Sequence, residues 1–290
     1  MASETNLIKK AQMAKVREID FVQQFTHNSL GKLLEVLGVT RKIPMMEGTQ
    51  MFVYKTTGTL QSGEVAEGDV IPLSQYETTK DPVGEITLKK WRKAVSAEAI
   101  KKSGYNNAVV ETDRKMLSDV QTGVRTSFFS FVNGSSITDA VTASGDTLQS
   151  ALANAWGKLQ VAFEDDTAQS VYFVNPLDIS DYLATANITV QTAFGMNYIE
   201  DFLGLGTVIM SSQITKGTFV ATAKENLILY YLTMNGDVAD AFDLTADELG
   251  LIGIKSGYQN EERAQIESLV MSGIQLLVEY GAGVVKGTIA

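Results

Sequence analysis

The stretch that most constrains this chain lies between Phe52 and Lys102. It reads as a strand outward over residues 51–60, a Gly-rich acidic excursion over 61–84, a strand back over 85–95 and a short helix over 96–102. The excursion is too long for a hairpin turn and too poor in apolar residues to make a core of its own. Long connections that pack on nothing are uncommon in compact domains. A chain that builds one rests it on something else, and the expected support is a neighbouring copy of the same chain.

Charge segregates along this stretch. Glu64, Glu67, Asp69, Glu77, Asp81 and Glu85 stand against Lys80 alone. Lys89, Lys90, Arg92 and Lys93 then surround Trp91, with Lys101 and Lys102 beyond. An acidic flap beside a basic base pairs either with itself or with the base of the next copy. A charge run is also what an ordinary solvated face looks like. A tryptophan among basic residues is a feature of single-strand stacking, but one aromatic ring in the run is too little to carry that reading.

Composition closes off several classes. The 290 residues suffice for one large or two modest domains. There is no Cys and one His, which excludes disulfides, thiolate metal sites and a multi-His site within one chain. A net charge of −10 argues against a general nucleic-acid binder, which needs basic surface to replace counterions. No apolar run is long enough for a transmembrane helix. The opening Met-Ala-Ser-Glu-Thr-Asn lacks the charged-then-apolar order of a signal peptide, so folding in a cytoplasm is expected.

Taken in order, residues 1–28 read as an N-terminal arm with Leu7, Ala11, Ala14, Phe21 and Phe25 near helical spacing. The arm either packs on its own domain or crosses to a neighbour. Residues 29–37 form a short amphipathic helix closed by Gly38, and Ile43-Pro44 forces extended backbone. Residues 106–132 form the longest helix, with Val109, Val110, Met116, Leu117, Val120, Val124, Phe128 and Phe131 on one stripe and Asn133-Gly134 at its end. An α/β texture follows. Asp146 is expected to cap a helix over 147–163, with a strand over 170–174, a helix over 177–184 and a helical turn over 198–203. Strands are expected over 207–210, 218–221 and 226–232, an acidic surface segment over 237–249, and strands over 250–257, 264–280 and 284–289. A domain boundary near Asn133-Gly134 is expected, with the last ~40 residues returning to the first half.

Tests for chemistry come out negative. Gly250-Leu-Ile-Gly253-Ile-Lys255-Ser256 places a residue between the second Gly and the Lys, which a phosphate loop does not tolerate. Gly204-Leu-Gly206 lacks the third Gly of a dinucleotide fingerprint. No nucleophile elbow occurs, and His27 reads as a surface residue of the arm. Asp165-Asp166 and the set Asp237, Asp240, Asp243, Asp247 and Glu248 match no calcium-loop template. The expectation is no catalytic residues, no metal and no cofactor: not an enzyme.

Two segments carry a resemblance. One is Gly63-Glu-Val-Ala-Glu-Gly-Asp-Val-Ile-Pro-Leu-Ser74; the other is Ile86-Thr-Leu-Lys-Lys-Trp-Arg-Lys-Ala-Val-Ser-Ala-Glu98-Ala-Ile-Lys-Lys-Ser103. In that order, ahead of a long helix and an α/β region, they resemble the major capsid proteins of tailed bacteriophages, the Hong Kong 97 fold. The resemblance implies an α+β fold with an N-terminal arm (1–28), a peripheral domain with a spine helix (29–50 and 96–133), an extended β-hairpin loop (51–95), an axial α/β domain (134–250) and return strands of the peripheral domain (251–290). It implies a subunit that assembles with many copies of itself, as pentamers and hexamers, into an icosahedral virion shell around DNA bound without sequence specificity. The loop residues Glu64, Glu67, Asp69, Val70, Ile71 and Leu73 would lie over basic surface such as Lys89, Lys90, Arg92 or Lys93 of a neighbour. A separate scaffolding protein, a portal and decoration proteins are the implied partners, with assembly in the host cytoplasm and no membrane; no Lys–Asn crosslink is expected, because Lys80 is the only lysine in the 61–84 excursion. An encapsulin-like nanocompartment shell shares the fold and stays open. So does a soluble α/β enzyme with a lid made from 61–84.

Overall fold

The structure is a computed structural model that describes residues 18, 20–22, 30–133, 137, 140–163, 168–184, 189–193 and 195–290. His27, Asp165, Asp166 and the rest of the arm lie outside them.

Helix α1 (Gly31–Val36) buries Leu33 and Leu34, and Leu30 and Leu37 flank it in the core. Gly38 ends it at φ +67, with the Lys224 side chain occupying the space a Cβ would need. Strand β1 (Arg41–Met45) lies parallel to a later strand at the edge of its sheet, where Pro44 costs no ladder bond. Strands β2 (Gln50–Thr59) and β3 (Gln75–Glu85) form a separate two-stranded antiparallel ribbon.

This corrects the expected loop. The return strand begins at Gln75, not at residue 85, and β4 (Lys89–Ser96) turns away from the ribbon into another sheet. The alternation of Tyr76, Thr78 and Lys80 with Glu77, Thr79 and Asp81 is strand-like, but neither face is apolar enough to announce a strand by hydrophobicity.

Helix α2 (Ala97–Tyr105) starts on Ser96, whose hydroxyl accepts from the Ala99 amide at 3.3 Å, and breaks at Gly104 with φ 77. One π-helical stretch (Asn106–Val110) leads into α3 (Glu111–Asn133). The 23 residues of α3 span about 35 Å. The buried side chains Leu117, Val120, Val124 and Phe129 lie on its core side.

Strand β5 (Val141–Gly145) precedes α4 (Leu148–Ala162). Thr147, not Asp146, caps α4: its Oγ1 accepts from the Ser150 amide at 3.2 Å, and Ser150 Oγ accepts from the Thr147 amide at 3.1 Å. This is a capping box with Ser standing where Glu is usual. Next come β6 (Ser170–Val174), α5 (Pro176–Leu183), β7 (Gln191–Ala193), β8 (Met196–Ile199) and β9 (Gly206–Met210). The helical turn expected over 198–203 is the end of β8 followed by one 3-10 turn, Phe202–Gly204. The chain closes with β10 (Thr218–Ala223), β11 (Leu227–Leu232), α6 (Asp237–Phe242), β12 (Thr245–Ala246), β13 (Ile252–Asn260), β14 (Gln265–Val278) and β15 (Val284–Ile289).

Two larger sheets organise these strands. One runs β1-β11-β14-β13-β12, with β4 also pairing β14. The other runs β5-β15-β10-β6-β9-β8-β7. Sheet membership therefore departs from the expected division at residue 250. β11, expected with the axial stretch, pairs β14 in the six-stranded sheet. β15, expected among the returning strands, lies between β5 and β10 in the seven-stranded sheet. Tight turns at 224–226 and 281–283 carry the chain from one sheet to the other, so neighbours in sequence are not neighbours in a sheet. The larger core joins α1, α3 and the six-stranded sheet to one face of the other sheet through Val171, Phe173 and Val220. The second core packs Leu152, Ala155 and Leu159 of α4 on the opposite face.

Candidate inter-subunit interface

The ribbon is anchored at its base and bare beyond it. Met51 and Ile86 are buried, and Ile86 exchanges backbone hydrogen bonds with Gly48 and Thr49 at 3.2 Å each. Beyond this point the register puts Phe52, Tyr54, Thr56 and Gly58 of β2 opposite Pro82, Lys80, Thr78 and Tyr76 of β3 on one face. The Lys80 ammonium sits 4.7 Å from the Phe52 ring centre, the Thr56 and Thr78 hydroxyls bond at 3.1 Å, and the Tyr76 ring fills the space over Gly58. Tyr54 and Tyr76 are nevertheless 55% and 59% exposed. The other face carries Lys55, Thr57 and Thr59 opposite Thr79, Glu77 and Gln75. The ribbon is thus amphipathic, with an aromatic face that its own chain leaves open to solvent. A two-stranded ribbon of this kind is marginal in water unless something packs on it.

The tip, residues 60–74, concentrates the same property. Leu60, Val70, Ile71 and Leu73 are between 72% and 92% exposed. Glu64, Glu67 and Asp69 stand exposed among them. The loop is shaped locally, by the Gln61 amide donating to Ser74 Oγ at 3.0 Å and the Asp69 amide to the Ala66 carbonyl at 3.1 Å. Burying each of the large apolar side chains is worth about 1.5–3 kcal/mol, and among the described residues none covers them.

The basic run is less free than its sequence implies. Arg92 donates twice to Glu267, at 2.9 and 2.6 Å. Glu267 also accepts from Tyr258 at 2.5 Å and Asn260 at 3.0 Å, and these donors, Arg92 first, hold its carboxyl down at about 2. Lys93 pairs with Asp113 at 2.7 Å and donates to the Val109 carbonyl at 3.0 Å. Lys89 donates to Ser127, and burial lowers its pKa. Trp91 is half-buried against the core and the α3 backbone at Gly123, not offered for stacking. These contacts correct the picture of 89–93 as one open basic patch. Lys90, Lys101 and Lys102 are exposed, and among the described residues no carboxylate pairs with them.

The other sites singled out in the sequence resolve into structure. The segment from Gly250 to Ser256 runs into strand β13 with no helix after it. Asp247 is buried and accepts from the Ile252 amide at 3.1 Å, while Asp243 pairs with Lys255 at 3.6 Å. No group of three or more His, Asp or Glu among the described residues is placed to hold a metal ion. In the arm, Glu18 is buried and accepts from the Ser256 amide at 2.5 Å and Thr245 Oγ1 at 2.8 Å. With Phe21 and Val22 in the core, this part of the arm packs on its own chain. Sequence reasoning missed the aromatic ribbon face; its signal was Phe52, Tyr54 and Tyr76 falling on one side of a period-two alternation.

No family model matches the sequence, and no curated protein does. Solved structures match it along almost its whole length. The virus-like particle from Pyrococcus furiosus aligns with a TM-score of 0.53 at 14% identity, covering 96% of this chain and 99% of that one. The Cyanophage A-1(L) capsid aligns at 0.54 and 10% identity, covering 88% and 91%. The SrpI encapsulin of Synechococcus elongatus PCC 7942 aligns at 0.51 and 10% identity, covering 98% and 92%. Phage capsid proteins make up most of these structural neighbours. With its two sheets, long helix and projecting ribbon, the chain has the Hong Kong 97-like capsid fold.

Proposed function

We propose that this chain is the major capsid protein of a tailed bacteriophage, a structural subunit that assembles with copies of itself into an icosahedral shell around DNA. The observation that carries the reading is the ribbon: its aromatic face and apolar tip are solvent-exposed in the single chain. In the shell the ribbon lies on an adjacent subunit, which covers Tyr54, Tyr76, Val70, Ile71 and Leu73. The tip carboxylates Glu64, Glu67 and Asp69 meet basic surface there, chiefly Lys90, Lys101 and Lys102, since Arg92 and Lys93 are already paired in their own chain. A scaffolding protein, a portal and decoration proteins are the partners that such a shell calls for.

The test is the particle mass of the purified chain, by light scattering with negative-stain microscopy. Closed shells, or rings of five and six, are expected. Removing residues 61–74 while keeping the ribbon should leave a folded, soluble subunit that makes none. A stable monomer or dimer that turns over a substrate, with 61–74 acting as its lid, would overturn the reading. An encapsulin-like compartment is the second reading, favoured by the end-to-end match to the Synechococcus shell. Nucleic acid inside purified particles supports the first; a protein cargo without nucleic acid supports the second.

A further inference from the structure

A cleft of about 720 Å³ opens on the seven-stranded sheet, on the face turned away from α4. Register explains its lining. Across β5, β15 and β10, Thr142, Lys286 and Val220 form one row, and Ser144, Thr288 and Thr218 the next. Rows are about 6.6 Å apart along the strands and strands about 4.8 Å apart, so four hydroxyls and an ammonium converge on one small area. Lys158 of α4 reaches round the edge of β5 and donates to the Thr142 carbonyl, which brings a second ammonium to the rim. The odd-numbered partners on the same strands, Ala143, Phe219 and Val285, are apolar and packed under α4. Toward the middle of the sheet, this same face carries Val171 and Phe173 and is covered by the main core. At its β5 end it becomes polar and stays open.

The charge of the cleft runs against that of the chain. The chain has 34 Asp and Glu against 24 Lys and Arg. Yet no carboxylate among the described residues lines this cleft, which carries two lysines and a set of Thr and Ser hydroxyls. Burial lowers the pKa of Lys286, so its charge is held in a partly desolvated place where a nearby anion stabilises it. Ammonium and hydroxyl donors arrayed on a firm sheet suit an anion with several acceptor oxygens.

We infer that this cleft binds a phosphate group, donated to by Lys286, Lys158 and the hydroxyls of Thr142, Ser144 and Thr288. The cleft is roomier than one phosphate needs, so a phosphate with a sugar and base attached fits as well as the free ion. The nucleic-acid source of that phosphate rests on the shell reading above; the phosphate chemistry does not.

The experiment is calorimetric titration of the full chain with inorganic phosphate, against chloride at equal ionic strength. A fluorescence-anisotropy titration with a short labelled single-stranded DNA runs beside it. Lys286→Gln should weaken phosphate binding about tenfold or more, the loss of one hydrogen bond to a charged partner. Lys158→Gln, a change at an exposed position, should weaken it too and serves should Lys286→Gln fail to fold. DNA binding lost in the same variants makes the backbone phosphate the ligand. Phosphate binding without DNA binding makes free phosphate or a nucleotide the source and leaves the site standing. No phosphate heat beyond the chloride control, or binding that neither variant weakens, overturns the inference. Particle formation is scored on the same preparations. A chain that binds phosphate but stays a monomer or dimer that turns over a substrate loses the shell reading and keeps the site.

Discussion

Glu267 shows how much one residue joins. It is almost fully buried on β14, and its donors come from β4 (Arg92) and β13 (Tyr258 and Asn260), so three strands meet at one carboxylate. Its folded pKa of about 2 lies below the ordinary Glu value of about 4.3. A depressed carboxylate contributes stability above its unfolded pKa and loses it as pH falls through the folded one. The window is therefore between about pH 4.5 and pH 2. Glu267→Gln should lower the melting midpoint by several degrees at neutral pH, and the gap to wild type should narrow as pH falls through that window. Parallel pH profiles for the two proteins would mean the carboxylate's charge contributes nothing. A smaller lesson lies at Thr147. Asp146 is an ordinary capping residue in sequence, but the hydroxyl one position on has the reciprocal Ser150, and geometry selects that pair.

At the scale of elements, what was legible was whatever buries a periodic stripe. Helices α1, α3 and α4 follow from leucine and valine spacing, and β6 and β9 from short apolar runs between turn residues. The ribbon was legible as an excursion but not as two paired strands. No described residue of the chain packs on its exposed face, and the alternation that marks a half-buried strand is written in Tyr and Thr, not in Val and Ile. The two faces make opposite predictions. Tyr54→Glu with Tyr76→Glu places charge on the aromatic face and should abolish shell formation while leaving the subunit's melting midpoint within a few degrees of wild type. Lys55→Glu with Glu77→Lys changes the polar face alone and should assemble normally. Light scattering reads both, and equal loss of assembly in the two pairs would mean that the ribbon does not lie on one face. Sheet membership of β11 and β15 was not legible at all, because a hydrogen-bond partner far along the chain decides it.

At the scale of the whole molecule two electrostatic effects oppose each other, and distance decides between them. Each copy carries −10, so copies repel. That repulsion acts over tens of ångströms and is largely screened once the Debye length falls to ~10 Å, near 0.1 M salt. The attraction of Glu64, Glu67 and Asp69 for a neighbour's lysines acts at contact and survives to higher salt, while each exposed pair contributes under about 1 kcal/mol. Many equivalent pairs around a closed shell make the sum count. Assembly should therefore improve as salt rises from ~0.01 M to ~0.1 M, where the long-range repulsion is screened, and weaken again toward ~1 M, where the Debye length is ~3 Å. The apolar tip contact sets a floor, because Val70, Ile71 and Leu73 bury better, not worse, in salts that strengthen burial. Reversing Glu64, Glu67 and Asp69 to Lys should remove the falling limb and lower the maximum. Scattering intensity across a salt series for the two proteins reads both limbs. A wild-type curve that only rises would assign the contact to the apolar tip and aromatic face and leave the acidic residues as solvating charge.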